Sequence, residues 1–356
     1  MSLPCCFDSI GNIIQMKHMT QYGGWTRKYE YETMSNKLRS TSVPGDDLML
    51  PLPTRYQYDN HGNIAQMPHL SSMTWDPQNQ LLSTSKQLYP SGTNETTYYI
   101  NDNSGQRLRK ITENQALSGN TPTKKNERLY LGHWELFREY GLSNQLELER
   151  ESLHVMDDTQ RVALVETKTT ENGSTLNSPT SITRLQLEDH LDSCSLEVTG
   201  DRSASVLTYE EHHPFGTSSY QAKNLSNDVS MKRYRYTGKE RDEENGFSYH
   251  GARYYAPWLA RWTTPDPAGM IDGVNLCAYV KNNPVEYRDP DGMQRNSSNQ
   301  NITLSNAVQK DLALAKGTGP FTDQETKRRG DLAEQKGIKI IRSFGGNYFS
   351  PNKKGH

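Results

Sequence analysis

The chain has 356 residues and a formal net charge of −2, from 40 Lys and Arg against 42 Asp and Glu, which leaves no overall attraction to nucleic acid or anionic membrane. Hydrophobic residues make up 33%, and the 26 glycines bring this to about 40%, below the roughly 45–50% of an average globular chain. The length allows two or three domains, or one large β body with an appendage, and excludes a small disulfide-stapled scaffold.

The first hundred residues return to one phrase: an aromatic or apolar residue, an acid, a short polar turn with Gly or Asn, then an apolar pair. It occurs at 7–14, 29–38, 56–64, 73–82 and 98–108, with the acids Asp8, Glu32, Asp59, Asp76 and Asp102 spaced 24, 27, 17 and 26 apart. Each copy predicts a β-hairpin, because Gly and Asn accept the left-handed backbone of a tight turn. One hairpin cannot bury its apolar face alone, so neighbouring units must stack. Tyr is the abundant large residue, 20 against 7 Phe and 5 Trp, which suits strand faces where the ring packs and the hydroxyl finds a polar partner.

Strands are expected to continue at 128–141, 161–170, 181–190 and 203–220, with 113–127 and 169–181 as polar loops. No long amphipathic helix is evident before 290. A polar linker follows residue 293, and Ser305 or Asn306 can cap a helix over 305–319. The charge also changes there: residues 1–293 hold 29 basic and 37 acidic side chains, and 294–356 hold 11 and 5. Cys5, Cys6, Cys194 and Cys277 lack a chelating spacing and read as free thiols. No 18-residue apolar run exists and the N-terminus has no signal-peptide pattern, so export would use another route.

Residues 234–293 contain Tyr-x-Gly, Gly-Ala-Arg-Tyr-Tyr, Pro-Asp-Pro, Asn-Asn-Pro and Asp-Pro-Asp-Gly-Met. This stretch closely resembles the core domain of the RHS/YD-repeat family, and its wording is most like the C component of bacterial insecticidal toxin complexes. The upstream phrases extend the likeness over most of 1–293. The resemblance implies a mainly β fold in which YD-repeat hairpins form a curved or shell-like sheet, part of a hollow cocoon, with a small α-containing C-terminal tail. It implies three regions: repeats at 1–225, a core domain with a self-cleavage site at 226–293, and a variable effector at 294–356. Relatives are much longer, so a truncated product, or a shell completed by the B component of a toxin complex as partner, is expected. The tail would be delivered to the target-cell cytoplasm after secretion without a signal peptide. No cofactor, metal or membrane segment is implied.

Hydrolysis of a peptide by carboxylates needs two acids near enough to share a proton, one ionised to activate water and one protonated to act as acid. By the match to the family motif the pair is Asp266 and Asp289, with Arg253 as the accompanying basic residue, placed to stabilise the oxyanion or orient one carboxylate, and the Met293–Gln294 bond as the cut. Such a reaction is intramolecular and occurs once. Asp272 and Asp291 are the substitutes. Each of these residues also has a structural reading: Asp before Pro commonly serves a turn, and Arg253 could be a buried ion-pair partner. His212 and His213 are adjacent, and on a strand would face opposite ways, which argues against a metal site. Lys327, Arg328, Arg329, Lys353 and Lys354 make the tail basic, but it shows neither a nuclease-like His cluster nor an ADP-ribosyltransferase series, so the charge reads as solvated surface. A non-catalytic YD-repeat scaffold making protein contacts is the alternative function, and an orphan module with only its tail active is a third.

Overall fold

In a computed structural model of the protein, residues 5–21, 23–86, 91–157, 160–224 and 229–297 are described. The expected tail helix at 305–319 and the basic cluster beyond it lie outside those residues. The architecture is mainly β. Four strands, Cys5–Phe7, Ile13–Thr20, Gly23–Tyr31 and Leu38–Thr41, form an N-terminal antiparallel sheet. A 13-stranded sheet follows, with Leu70–Trp75 at one edge and Ser218–Lys223 at the other, and its long strands pair antiparallel with their neighbours in chain order. Among the described residues this order does not close on itself.

One hydrogen-bond frame makes the repeated turns. The acid's amide donates to the carbonyl four residues on, and the residue three on donates back to the acid's carbonyl, at Asp8, Asp59, Asp76, Asp102 and also Asp189. In each, one carboxylate oxygen accepts the amides two and four residues on, at 2.8–3.0 Å. The residue three on has positive φ and is Gly11, Gly62, Asn79, Gly105 or Asp192, residue types that tolerate that region. The acid thus satisfies the amides that the turn removes from the sheet ladder. Glu32 departs from this: its turn is one residue longer, closing with Lys37, and its carboxylate accepts the Ser35 hydroxyl instead. Gly141 and His213 occupy the acid's place in two further turns with the same backbone frame.

Two expectations need correction. The stretch 128–141 is not one strand but the two arms Lys124–Leu131 and Trp134–Tyr140 of a hairpin, so the polar run read as a loop from 113 to 127 contributes four residues to a strand. The loop expected at 169–181 likewise carries the end of Gln160–Glu171 and the short strand Ser174–Thr175. Polar sequence misled in both places, since Lys124, Lys125, Ser174 and Thr175 are strand residues with little or no apolar face to signal it.

The apolar core joins Ile13, Met16, Leu38, Ile64 and Leu70 to Phe247, Tyr254, Ala256 and Leu259, so the segment after 229 packs into the same core as the first repeats. Farther along the large sheet the buried face is ionic: Glu135, Glu166, Arg184, Glu197 and Glu210 are all under 5% exposed. The segment at 229–244 lies against it. Arg107 bonds Asp242 at 2.9 Å and Glu240 at 2.5 Å, Lys110 bonds Asp242 and Glu244 at 2.9 Å, and Arg233 spans Glu135 at 2.5 Å and Glu240 at 2.7 Å. Burial would raise the Glu240 carboxyl, but Arg107 and Arg233 hold it far below its ordinary value. Strand neighbours that alternate with these charges, Leu153, Val155, Leu185 and Leu187, are exposed at 40–47%.

Removing one partner from a buried ion pair strands the other charge, so Glu240→Gln is expected to destabilise the fold by about 3–5 kcal/mol in urea unfolding. In the turns, Asp59→Ala removes two amide contacts to a carboxylate and is expected to cost about 1–3 kcal/mol, whereas the exposed His61→Ala is expected to stay within about 0.5 kcal/mol of wild type.

Candidate functional site

Four short strands, Glu240–Arg241, Ser248–Tyr249, Tyr254–Ala256 and Arg261–Trp262, form a small antiparallel sheet. Arg253 immediately precedes the third of these and Asp266 follows the fourth. Asp289 follows Tyr287–Arg288, which pairs with Asn296–Ser297. The loop of this last hairpin is therefore 289–295, and it contains Met293 and Gln294.

The structure brings Asp266, Asp289 and Arg253 together. Arg253 Nη2 lies 2.9 Å from Asp266 Oδ2 and 3.1 Å from Asp289 Oδ2, with all three side chains no more than 6% exposed. The carboxylates meet through the guanidinium, and their oxygens are no farther apart than those two contacts laid end to end. Arg253 stacks on Trp262 at 4.1 Å, and Trp262 packs against Tyr255, Tyr279 and His250. This aromatic floor fixes the plane of the fork, so its donors point in set directions.

The loop is held on both sides of the Met293–Gln294 bond. Arg253 Nε donates to the Gly292 carbonyl at 2.5 Å, and the Gly292 amide donates to Asp289 Oδ1 at 2.8 Å. The Met293 amide donates to Asp291 Oδ1 at 2.9 Å. Beyond the bond, Arg295 donates through its amide and its Nε to Asp272 at 3.0 and 3.2 Å. Asp272 and Asp291 thus anchor the loop rather than meet Arg253. Gly292 has φ of +78°, and a Cβ there would come within 2.9 Å of the Arg253 nitrogen, so only glycine fits this approach. Met293 is 41% exposed and Gln294 is exposed. Among the described residues no hydrogen bond engages the Met293 carbonyl or the Gln294 amide.

Burial pushes the Asp289 carboxyl up to about 6, against the opposing pull of Arg253. Burial raises Asp266 as well, again opposed by Arg253. Both carboxyls are thus raised by burial and drawn back by the one guanidinium between them. His250 is fully enclosed, and its Nδ1–H donates to the Asp289 carbonyl at 2.7 Å. Burial, and then Lys239, push its pKa well down, so the ring is neutral. His250 and Gly292 were not legible as site residues: the signal was their place in His-Gly-Ala-Arg and Asp-Pro-Asp-Gly, but their partners are supplied only by the fold. His212 and His213 lie elsewhere, His212 Nε2 facing Glu210 at 3.3 Å and His213 edge-on to His18 at 5.1 Å.

No family model matches the chain. Toxin subunit YenC1 of Yersinia entomophaga is 28% identical over 330 residues, covering 88% of this chain and 31% of that protein. Toxin subunit YenC2 of the same organism is 29% identical over 289 residues, covering 81% and 28%. The crystal structure of TcdB2–TccC3 superposes with a TM-score of 0.67 at 26% identity, over 82% of this chain and 14% of that one. In sequence and in fold the chain is similar to the RHS/YD-repeat C components of toxin complexes. It spans about a third of the length of the curated relatives it matches, and the C-component-like part includes both the repeat turns and the Arg253 cluster. Among its described residues no helix is long and apolar enough to cross a membrane.

A carboxyl whose folded pKa lies above its unfolded value of about 3.9 binds more protons folded than unfolded between the two. The Asp289 contribution to stability is therefore full below about pH 4 and is lost as pH rises through 6. Urea unfolding of wild type and Asp289→Asn across pH 4–7 is expected to show wild type losing up to about 3 kcal/mol relative to the variant over that window, whereas a parallel pair of curves would mean that Asp289 has an ordinary pKa.

Proposed function

We propose that this chain is part of a β shell that holds a C-terminal effector and releases it by cutting itself once between Met293 and Gln294. The observation that carries the reading is Arg253 Nη2 in ion-pair reach of both Asp266 and Asp289 while its Nε holds the carbonyl one residue before the bond. Asp266, ionised on Arg253, takes a proton from water as the water oxygen attacks the Met293 carbonyl carbon. Asp289, the acid that holds its proton up to about pH 6, gives it to the Gln294 nitrogen as the C–N bond breaks. The loop is tethered at Gly292, Met293 and Arg295, which leaves the intervening bond exposed in a fixed place and makes an intramolecular attack effective.

On this reading residues 1–225 are the repeat sheet, 226–293 the core that closes and cuts, and 294–356 the effector. The open edges of the 13-stranded sheet support completion by a partner, and the likeness to TccC3 in its complex with TcdB2 supports a B-type component in that role. The likeness to toxin subunits supports secretion and delivery of the tail into a target cell. Arg253 also reaches the Leu276 carbonyl at 3.4 Å, and this saturation favours a second reading in which the cluster is a structural clamp on an uncut scaffold.

The two readings separate by intact mass of the purified full chain. Self-cleavage predicts fragments 1–293 and 294–356 from wild type, and an uncut chain from Asp266→Asn and Asp289→Asn. A scaffold predicts the uncut mass for wild type, and a split that survives Asp266→Asn would remove that residue from the chemistry.

A further inference from the structure

A cavity of about 820 Å³ opens beside the loop and is lined by Lys239, Arg161, His250, Pro290, Asp291 and Met293. Lys239 is its unusual member. It leaves the one-turn helix Tyr236–Gly238, the Tyr-x-Gly of the sequence, with its amide donating to Tyr236 and its carbonyl accepting from Arg235. Its backbone is thereby fixed. Among the described residues its ammonium makes no hydrogen bond or ion pair, whereas Arg107, Lys110 and Arg233 of the buried ionic face each reach carboxylates. It shares that cavity wall with His250, Asp291 and Met293, and its charge acts on His250, Asp289 and Asp291. Burial and then Arg161 lower its pKa, while Asp289 and Asp291 draw it back up.

Lys239 is half-buried, and its ammonium, uncommitted to any carboxylate, is free to receive an anion at the cavity wall. The anion that the proposed reaction creates at this place is the new carboxylate of Met293. We propose that Lys239 is the oxyanion and product-carboxylate donor of the self-cleavage site, a role that rests on the self-cleavage reading. When water adds to the Met293 carbonyl carbon, the carbonyl oxygen gains the electron pair of its π bond, and the Lys239 ammonium donates a hydrogen bond to it. After the C–N bond breaks and Asp289 has protonated the departing amine, the new carboxyl group gives its proton to the Asp289 carboxylate and, as an anion, remains paired with the same ammonium. Arg253 cannot fill this role, because its Nε is already committed to the preceding carbonyl and its Nη2 to the two aspartates.

The test follows splitting by pulse–chase in cell-free translation of the full chain. Lys239→Met, which keeps the length and removes the charge, is expected to slow the split by about 100-fold, the usual loss for one oxyanion donor, and Lys239→Arg to retain it. A wild-type chain that splits together with an equally fast Lys239→Met overturns the proposal alone; a wild-type chain that never splits overturns the cleavage reading and this proposal with it. A second measurement uses no substitution at Lys239. Reductive methylation followed by peptide mass spectrometry is expected to label Lys239 readily in uncut Asp266→Asn and to lose that labelling in the split wild type, and equal labelling in both would contradict carboxylate capture.

Discussion

The site depends on one guanidinium. Arg253 arrives from the strand pair that also buries Tyr254 and Tyr255, lies flat on Trp262, and spends one nitrogen on two carboxylates and another on the Gly292 carbonyl. Without that charge, burial would raise both Asp266 and Asp289 further, because Arg253 is the main pull against it at each. With it, both carboxyls are held on one cation and Asp289 is poised near 6. A planar fork suits this task in a way that a lysine would not, because its donors are fixed relative to each other.

The same economy of charge runs through the large sheet. A chain with few apolar residues cannot cover both faces of 13 strands with hydrocarbon, and here one face of the middle strands is covered by ion pairs to the segment at 229–244. Those pairs contribute little net energy over a hydrophobic substitute, but they demand a particular register: Arg107 and Arg233 must meet at Glu240, and Arg107 and Lys110 at Asp242. The segment that carries Lys239 and leads on to Arg253 is therefore set on the sheet by matching charges, and the cleavage loop inherits its position from that match.

How much of this was legible from residues alone varied with the range of the contact. The turn at Asp59 is written within five residues, so an acid followed by Gly or Asn sufficed. The equivalent turn at Asp189 was missed because Asp192 stands where Gly was sought, and those at Gly141 and His213 because the acid itself is absent while the backbone frame persists. Residues 124–127 looked like loop because Lys-Lys-Asn-Glu has no apolar alternation, although Glu127 is buried between Arg109 and Tyr140 on the two neighbouring strands. Arg253, Asp266 and Asp289 could be named through a family wording, yet no local pattern states that they share one nitrogen. Asp272 as an anchor for Arg295, and the unpaired ammonium of Lys239, became visible only once the chain was folded.

The most direct measurement is to let the full chain fold in water enriched in oxygen-18 and to read the mass of the C-terminal peptide of the larger fragment. Attack by an aspartate-activated water predicts a peptide ending at Met293 with one heavy oxygen in its terminal carboxyl group. A peptide ending at another residue, or one ending at Met293 without the label, would contradict it.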